Sequence, residues 1–260
     1  MSERLLELHD VRTGFGANTV LHGCSYHVSE GEVVGVLGLN GAGKSVSLKV
    51  VAGLLPAWAG TVTFLGEDIT KIAAEDRVAR GMGHVPQGRQ VFPEFTVEEN
   101  LRLGAYTLRR RDRSRYKGAL DGVFDRFPVL AERRDQLAGT MSGGQQAMLA
   151  VGRGLMSEPR LLVIDEPSAG LAPVAVQELF ETLRMVHASG VTILLVEQNV
   201  TFSLKLADRL NIMQRGRIVY EGSVSTLDTE RVADYLGVGR LLSRSMRQAA
   251  APGPVAEVGS

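Results

Sequence analysis

The run Gly38-Leu39-Asn40-Gly41-Ala42-Gly43-Lys44-Ser45 reads G-x-x-x-x-G-K-S. Its glycines let the backbone curl until successive N–H groups converge on a phosphate, and Lys44 adds a full positive charge. The hydroxyl of Ser45 suits a Mg²⁺ ion that bridges phosphates. Val33-Val34-Gly35-Val36-Leu37 before it has the pattern of a buried strand; in Ser45 to Val51 after it, Leu48 and Val51 recur at helical spacing. Strand, glycine turn and helix in that order place an anion at a helix N-terminus, where backbone amides and the helix dipole favour it. The chemistry indicated is that of a nucleoside triphosphatase.

A second candidate set lies downstream. Leu161-Leu162-Val163-Ile164-Asp165-Glu166-Pro167 is an apolar strand ending in two carboxylates. Unpaired carboxylates at the end of a buried strand cost stability, so their presence asks for a reason. Beside a P-loop, Asp165 suits the acid that holds Mg²⁺, directly or through water. Glu166 suits the base that orients and deprotonates an attacking water, a role worth about 10²–10⁴ in rate. In Gly83-His84-Val85-Pro86-Gln87, Pro86 cannot donate to a central ladder, so Gln87 opens a loop at a strand's C-terminal end, where α/β folds place ligand sites. Ser142-Gly143-Gly144-Gln145 has capping-box spacing, and its glycines leave the first amides of a helix uncovered. That reads either as a plain N-cap or as an anion receptor. Phe15, between Gly14 and Gly16, is either a turn aromatic packed on a sheet or a flat surface offered to a base.

The elements that must position these residues alternate between strand and helix. Residues 5 to 34 carry the alternation of an antiparallel β region, in Leu6-Glu7-Leu8 and Val20 to Val28, punctuated by Gly14, Gly16 and Gly31. Thr61 to Leu65 is a further strand closed by Gly66. From Thr96 to about Gly139 the pattern turns helical and Arg-rich, opened by the capping box of Thr96 and Glu99. Arg109, Arg110 and Arg111 with Arg113 and Arg115 form a basic cluster, either a solvated helix end or an anion site. Val191 to Val196 is a second buried strand, ending in Glu197-Gln198-Asn199, and 208 to 222 reads as a hairpin turning at Arg215-Gly216. Past Gly239 periodicity is lost and a frayed tail is expected.

The bulk properties exclude several classes. A chain of 260 residues, 44% hydrophobic and 22% charged, suits one large α/β domain or one domain with an inserted subdomain. Lys+Arg and Asp+Glu both total 29, so no global basic field recruits nucleic acid. The single Cys24 precludes an internal disulfide and suits a small buried hydrophobe. Runs such as Ile193 to Val196 are far shorter than the ~20 residues of a bilayer span, and Met1 to Arg4 lacks the pattern of a signal peptide. No membrane-spanning segment is expected.

In order and spacing these motifs resemble those of ATP-binding cassette (ABC) ATPases, over roughly residues 5 to 238. Gly38 to Ser45 is similar to Walker A, Gln87 to the Q-loop, Ser142 to Gln146 to the ABC signature, and Leu161 to Glu166 to Walker B with its catalytic glutamate. The stretches Val85 to Pro93 with Thr96 to Leu101, Ser168 to Pro173, and Leu195 to Asn199 are similar to ATP-binding subunits of branched-chain amino acid importers and of related urea or short-amide importers. The resemblance implies a P-loop NTPase core over residues 1–238 and a helical subdomain at about 88–158. It implies ATP and Mg²⁺ as cofactors. Phe15, Gly38, Asn40, Gly41, Ala42, Gly43, Lys44, Ser45 and Val46 would hold the nucleotide, and Ser45, Gln87 and Asp165 the metal. Glu166, Gln87 and Gln198 would serve hydrolysis, and Ser142, Gly143, Gly144 and Gln145 would address ATP bound by a second ATPase subunit in a head-to-tail dimer. Two permease chains, an extracytoplasmic solute-binding protein and a peripheral position on the cytoplasmic face of the inner membrane complete the implied assembly. The sequence departs from the pattern at Met141, where Leu is usual, and in the loop after Walker B, which lacks an acidic residue. Gln198 stands where a switch histidine is usual; an amide can donate to a phosphate oxygen but carries no charge.

Overall fold

The structure is a computed structural model that describes residues 3–106 and 113–236. Two sheets stack with one helix between them. The first is antiparallel, in the order β2-β1-β4-β5, built from β1 (Arg4–Phe15), β2 (Asn18–Ser29), β4 (Ala59–Phe64) and β5 (Glu67–Asp68). The second, in the order β10-β9-β3-β8-β7-β6, has β3 (Val33–Leu37), β6 (Met82–Val85), β7 (Leu161–Asp165), β8 (Thr192–Glu197) and β9 (Arg209–Gln214) in parallel, with β10 (Arg217–Ser223) added antiparallel. The antiparallel region expected from 5 to 34 therefore ends at Ser29, because every residue of Val33–Leu37 is buried and hydrogen-bonds into the other sheet.

Helix α1 (Lys44–Val51) lies between the sheets. Its Leu48 and Val51 join Leu6, Val28, Val34 and Val196 in one buried apolar layer that also holds Cys24. The opposite face of the parallel sheet is covered by helices, as a sheet of uninterrupted apolar strands requires. After α2 (Ala74–Ala79), this face is built by α3 (Val97–Gly104), α4 (Arg113–Arg126), α5 (Pro128–Glu132), α6 (Gly143–Leu155), α7 (Pro173–Ala188) and α8 (Val200–Leu206), with α9 (Thr229–Tyr235) following β10. Leu101, Val123, Leu130 and Leu149 share a single core with Leu162, Ile164 and Leu195 of the sheet. The helical segment is continuous with the fold through that core. Both capping boxes read from the sequence form, at Thr96 with Glu99 and at Ser142 with Gln145. Arg115 pairs with Glu158 at 2.6 Å, while Arg109 to Arg111 and the expected tail lie outside the described residues.

One buried cation secures the helix that follows the P-loop. Arg77 of α2, only 2% exposed, donates through Nη1 to the carbonyls of Val50 and Val51, both at 2.7 Å, at the C-terminal end of α1. Its Nε and Nη2 bind Ile72 O at 2.9 Å and Ile69 O at 2.6 Å in the turn after the first sheet. A planar five-donor fork can satisfy carbonyls in several directions where an ammonium cannot, and cations favour helix C-termini.

Arg77→Met should cost about 3 kcal/mol, since it strands buried carbonyls, and Arg77→Lys should recover less than half of that. Urea unfolding would show a lower midpoint at unchanged slope; a midpoint within error of wild type would remove Arg77 from this role. A second expectation concerns His84 on β6. Burial, aided by the Lys49 cation, pushes its pKa down from 6.5 to about 4. The unfolded chain takes up this proton near pH 6.5 and the folded chain resists until about 4, so stability is lost as pH falls through that window. His84→Gln should flatten the fall in unfolding free energy between pH 6.5 and 4; an identical slope in the variant would assign the loss to other groups.

Candidate active site

The P-loop is shaped by two glycines with different reasons to be glycine. A Cβ on Gly38 would stand 2.4 Å from the carbonyl oxygen of Met213 on β9, so only glycine lets the chain leave the sheet there. Gly43 is the N-cap of α1 at φ 105°, in the left-handed region, and no side chain caps the helix. The first amides of α1 are thus left for an anion. Lys44, 4% exposed, curls back along the loop, and its Nζ donates to Gly38 O at 2.9 Å and Leu39 O at 3.2 Å. Burial lowers its pKa, and Glu166 and Asp165 pull it back up. A pocket of about 250 Å³ opens over the loop, lined by the run from Asn40 to Val46 together with Gln87, Glu166, Gln198 and Val20.

Asp165 ends β7 and receives a hydrogen bond from Ser45 Oγ at 2.9 Å. Desolvation raises its pKa and the Ser45 contact opposes the rise. The backbone then turns at Glu166, which adopts φ 45° and donates its N–H to Val196 O at 2.9 Å. A non-glycine residue in this region stores strain of about 1–3 kcal/mol, held by its surroundings. The turn aims the buried Glu166 carboxylate at the P-loop. Gln87 Nε2 donates to its Oε2 at 2.7 Å, Gln198 Nε2 donates to its Oε1 at 2.7 Å, and Lys44 Nζ stands 3.7 Å from Oε1. Hydroxyl and carboxylate oxygens at Ser45 and Asp165 form a hard, oxygen-only donor pair. That pair fits Mg²⁺, which is commonly held through one or two carboxylates plus substrate phosphates and water.

The structure brings Gly38 to Val46, Gln87, Asp165, Glu166 and Gln198 together. It does not bring Ser142 to Gln145 to the same pocket. Phe15 ends β1 half exposed and outside the pocket lining. Two neighbours of the site carry no signal in the sequence. Val20 looks like any alternating strand residue. Arg89 looks like a loop charge, yet its Nη1 reaches Gln146 Oε1 at 3.4 Å and its Nη2 reaches Gly170 O at 3.3 Å. Arg89 and Gln90 both have positive φ, 65° and 44°. A cavity of about 480 Å³ lies between this loop, α6 and the segment after Glu166.

A glycine loop at the end of a parallel strand, capping a helix and facing carboxylates of a neighbouring strand, defines a nucleoside-triphosphate-binding α/β protein. Residues 21–169 match the model of the ABC transporter family, and the chain belongs to that family. It is 43% identical over 235 residues, 90% of this chain and 100% of the relative, to the high-affinity branched-chain amino acid transport ATP-binding protein BraG of Pseudomonas aeruginosa. It is 34% identical to the probable branched-chain amino acid transport ATP-binding protein LivF of Archaeoglobus fulgidus, over 86% of this chain and 94% of that one. The crystal structure of a nucleotide-free ATP-binding cassette from an ABC transporter superposes with a TM-score of 0.79 at 27% identity, covering 96% of this chain and 100% of that one. The chain is an ABC-type ATPase, and no helix among its described residues is long and apolar enough to cross a membrane.

Removing the buried cation tests the pocket. Lys44→Ala should weaken ATP binding by about 100-fold, because hydrogen bonds to charged groups are worth up to ~3 kcal/mol. Titration with a fluorescent ATP analogue reads this directly; unchanged affinity would place the phosphates somewhere else.

Proposed function

We propose that this chain is the ATP-hydrolysing subunit of an importer for branched-chain amino acids. The observation that carries the hydrolytic part is the Glu166 carboxylate, held over the P-loop by one amide on each oxygen and flanked by Lys44. The solute follows from similarity along the full length of a relative named for that transport.

In this reading the amides of the P-loop and Lys44 take the phosphates, and Phe15 takes the base. Ser45 and Asp165 hold Mg²⁺, with the Gln87 side chain joining them; when bound, the ion neutralises phosphate charge. Glu166 accepts the proton of the attacking water at a carboxylate oxygen. Gln87 and Gln198 orient that carboxylate, and the Gln198 amide, swung away, can donate to a phosphate oxygen. Being neutral, Gln198 offers a hydrogen bond where a histidine could add a charge. This predicts slower turnover here than in a paralogous partner site.

Each ATP would lie between the P-loop of one subunit and Ser142 to Gln145 of the other. The placement of that tetrad outside its own pocket supports this arrangement. The working assembly would pair this chain with a second ATPase chain, two permease chains and an extracytoplasmic binding protein, on the cytoplasmic face of the membrane. Residues 1–238 form the ATPase domain, with about 88–158 as its helical subdomain.

The test uses Glu166→Gln as bait, which should bind ATP without releasing it as product. Affinity capture from detergent-solubilised membranes with ATP and Mg²⁺ should recover hydrophobic permease chains and a second cassette ATPase. Vesicles rebuilt from that assembly should take up leucine, isoleucine or valine when ATP and the binding protein are supplied. Capture of soluble partners alone would overturn the transport reading, and uptake of a urea or amide instead would overturn the solute.

A further inference from the structure

Glu197 is a buried carboxylate to which the site described above gives no role. It is the last residue of β8 and is 1% exposed. Among the described residues no cation is hydrogen-bonded to it; backbone amides from two separate segments are, together with the Ser168 side chain. Its Oε1 accepts the Ser168 N–H at 2.9 Å, from the segment that follows Glu166. Its Oε2 accepts the N–H groups of Gln198 at 3.1 Å and Asn199 at 3.2 Å. Burying a carboxylate costs several kcal/mol unless it is well satisfied, and here its oxygens are satisfied by the two loops that carry Glu166 and Gln198.

The two loops meet again on the other side of the chain. Glu166 donates its N–H to Val196 O at 2.9 Å, and Gln198 Nε2 donates to Glu166 Oε1 at 2.7 Å. A closed circuit results, running from Glu197 through Ser168 back to Glu166, across the amide contact to Gln198, and home to Glu197. Asn199 extends it by capping α8, its Oδ1 accepting Phe202 N at 3.0 Å. Without Glu197 the Glu166–Val196 backbone bond would still join the segments at their root, but only the amide–carboxylate contact would hold the Gln198 side chain against Glu166. A side chain of amide shape cannot replace it, because an NH₂ group would face N–H donors on one side.

We propose that Glu197 is a positioning residue for hydrolysis, clamping the Ser168 and Gln198 loops so that the Gln198 amide meets the Glu166 carboxylate. This rests on the reading of Glu166 as the base. A misplacement of about 1 Å in such a contact can cost up to about 100-fold in rate; because other contacts to Glu166 remain, a loss near tenfold is expected.

The experiment is a double-mutant cycle on the full chain in its assembly, with Glu197→Gln, Gln198→Ala and the pair together. Glu197→Gln should lower kcat about tenfold with KM for ATP within about twofold of wild type, which marks loss of an interaction made for the chemical step. In the Gln198→Ala background the same change should alter kcat less than about twofold. Where Glu197→Gln unfolds without cooperativity, Glu197→Asp carries the test: charge kept, reach shortened, kcat lowered several-fold, and again no further loss beside Gln198→Ala. Losses that multiply in the pair, a wild-type kcat, or a KM that rises in step with the loss would each overturn the proposal. Glu166→Gln is assayed alongside. Wild-type turnover there overturns the site reading and this proposal together, whereas multiplied losses with Glu166→Gln inactive overturn this proposal alone.

Discussion

Parallel pairing holds the ends of three strands within one residue of one another. Leu37 of β3 lies beside Glu197 of β8 and beside Ile212 of β9, and Asp165 of β7 lies beside Val196 of β8. Each strand therefore releases its next residue along the same sheet edge: Gly38 into the P-loop, Glu166 into its left-handed turn, Gln198 into its loop. A slip of one residue would shift that edge by about 3.3 Å and turn every side chain of the slipped strand to the other face. The sheet resists such a slip because all of Val33–Leu37, Leu161–Asp165 and Thr192–Glu197 are buried, with two different apolar layers on their two faces. The accuracy of the site is thus inherited from a hydrophobic register.

Concentrating charge at that edge has a cost. Burial raises the pKa of Asp165 and of Glu197 and lowers that of Lys44, so all three are less comfortable as ions than they would be in water. Hydrogen bonds offset part of this: Ser45 for Asp165, backbone amides for Glu197, loop carbonyls for Lys44. Held by these contacts in a poorly solvated site, such groups act more strongly on developing charge than they would in water. The fold meets the cost elsewhere, in the apolar layers and in contacts such as the Arg77 fork under α1.

Most of the site is legible in the sequence because its chemistry demands particular residue types in short runs. The P-loop, the Asp165-Glu166 pair and the two capping boxes are local patterns, and each forms where its spacing implies. Long-range contacts are not legible in that way. Nothing in the sequence marks Arg77, and only the fold reveals the carbonyls of two segments, Val50 with Val51 and the turn from Ile69 to Ile72, around it. Glu197 reads as a polar strand end, and its amide partners lie 29 residues away at Ser168 as well as next to it. Strands β1 and β2 run beyond the alternation seen in Leu6 to Leu8 and Val20 to Val28 because bulges interrupt them. The register shifts between Leu8 and Val11, where Asp10 takes a positive φ of 46°, so the two-residue period breaks while the pairing continues.

The two glycine-bearing helix starts differ in a way that bears on how the site can be completed. Helix α1 begins at Gly43 with no side-chain cap, at the pocket it lines, whereas α6 begins at Ser142 with both halves of a capping box closed and does not line that pocket. The box satisfies the amides of Ser142 and Gln145 and leaves the glycines between them without side chains to cover them. Arg89 lies so close over that start that a Cβ on Gly143 would come within 2.8 Å of its Nη1. The same short loop therefore touches Glu166 through Gln87 and the start of α6 through Arg89. Positive φ at both Arg89 and Gln90 keeps it in a conformation that non-glycine residues adopt at a cost. Gln87 and Arg89 are two residues apart, so the contact on the Glu166 carboxylate and the contacts on Gln146 of α6 and on Gly170 are made from one short strained loop.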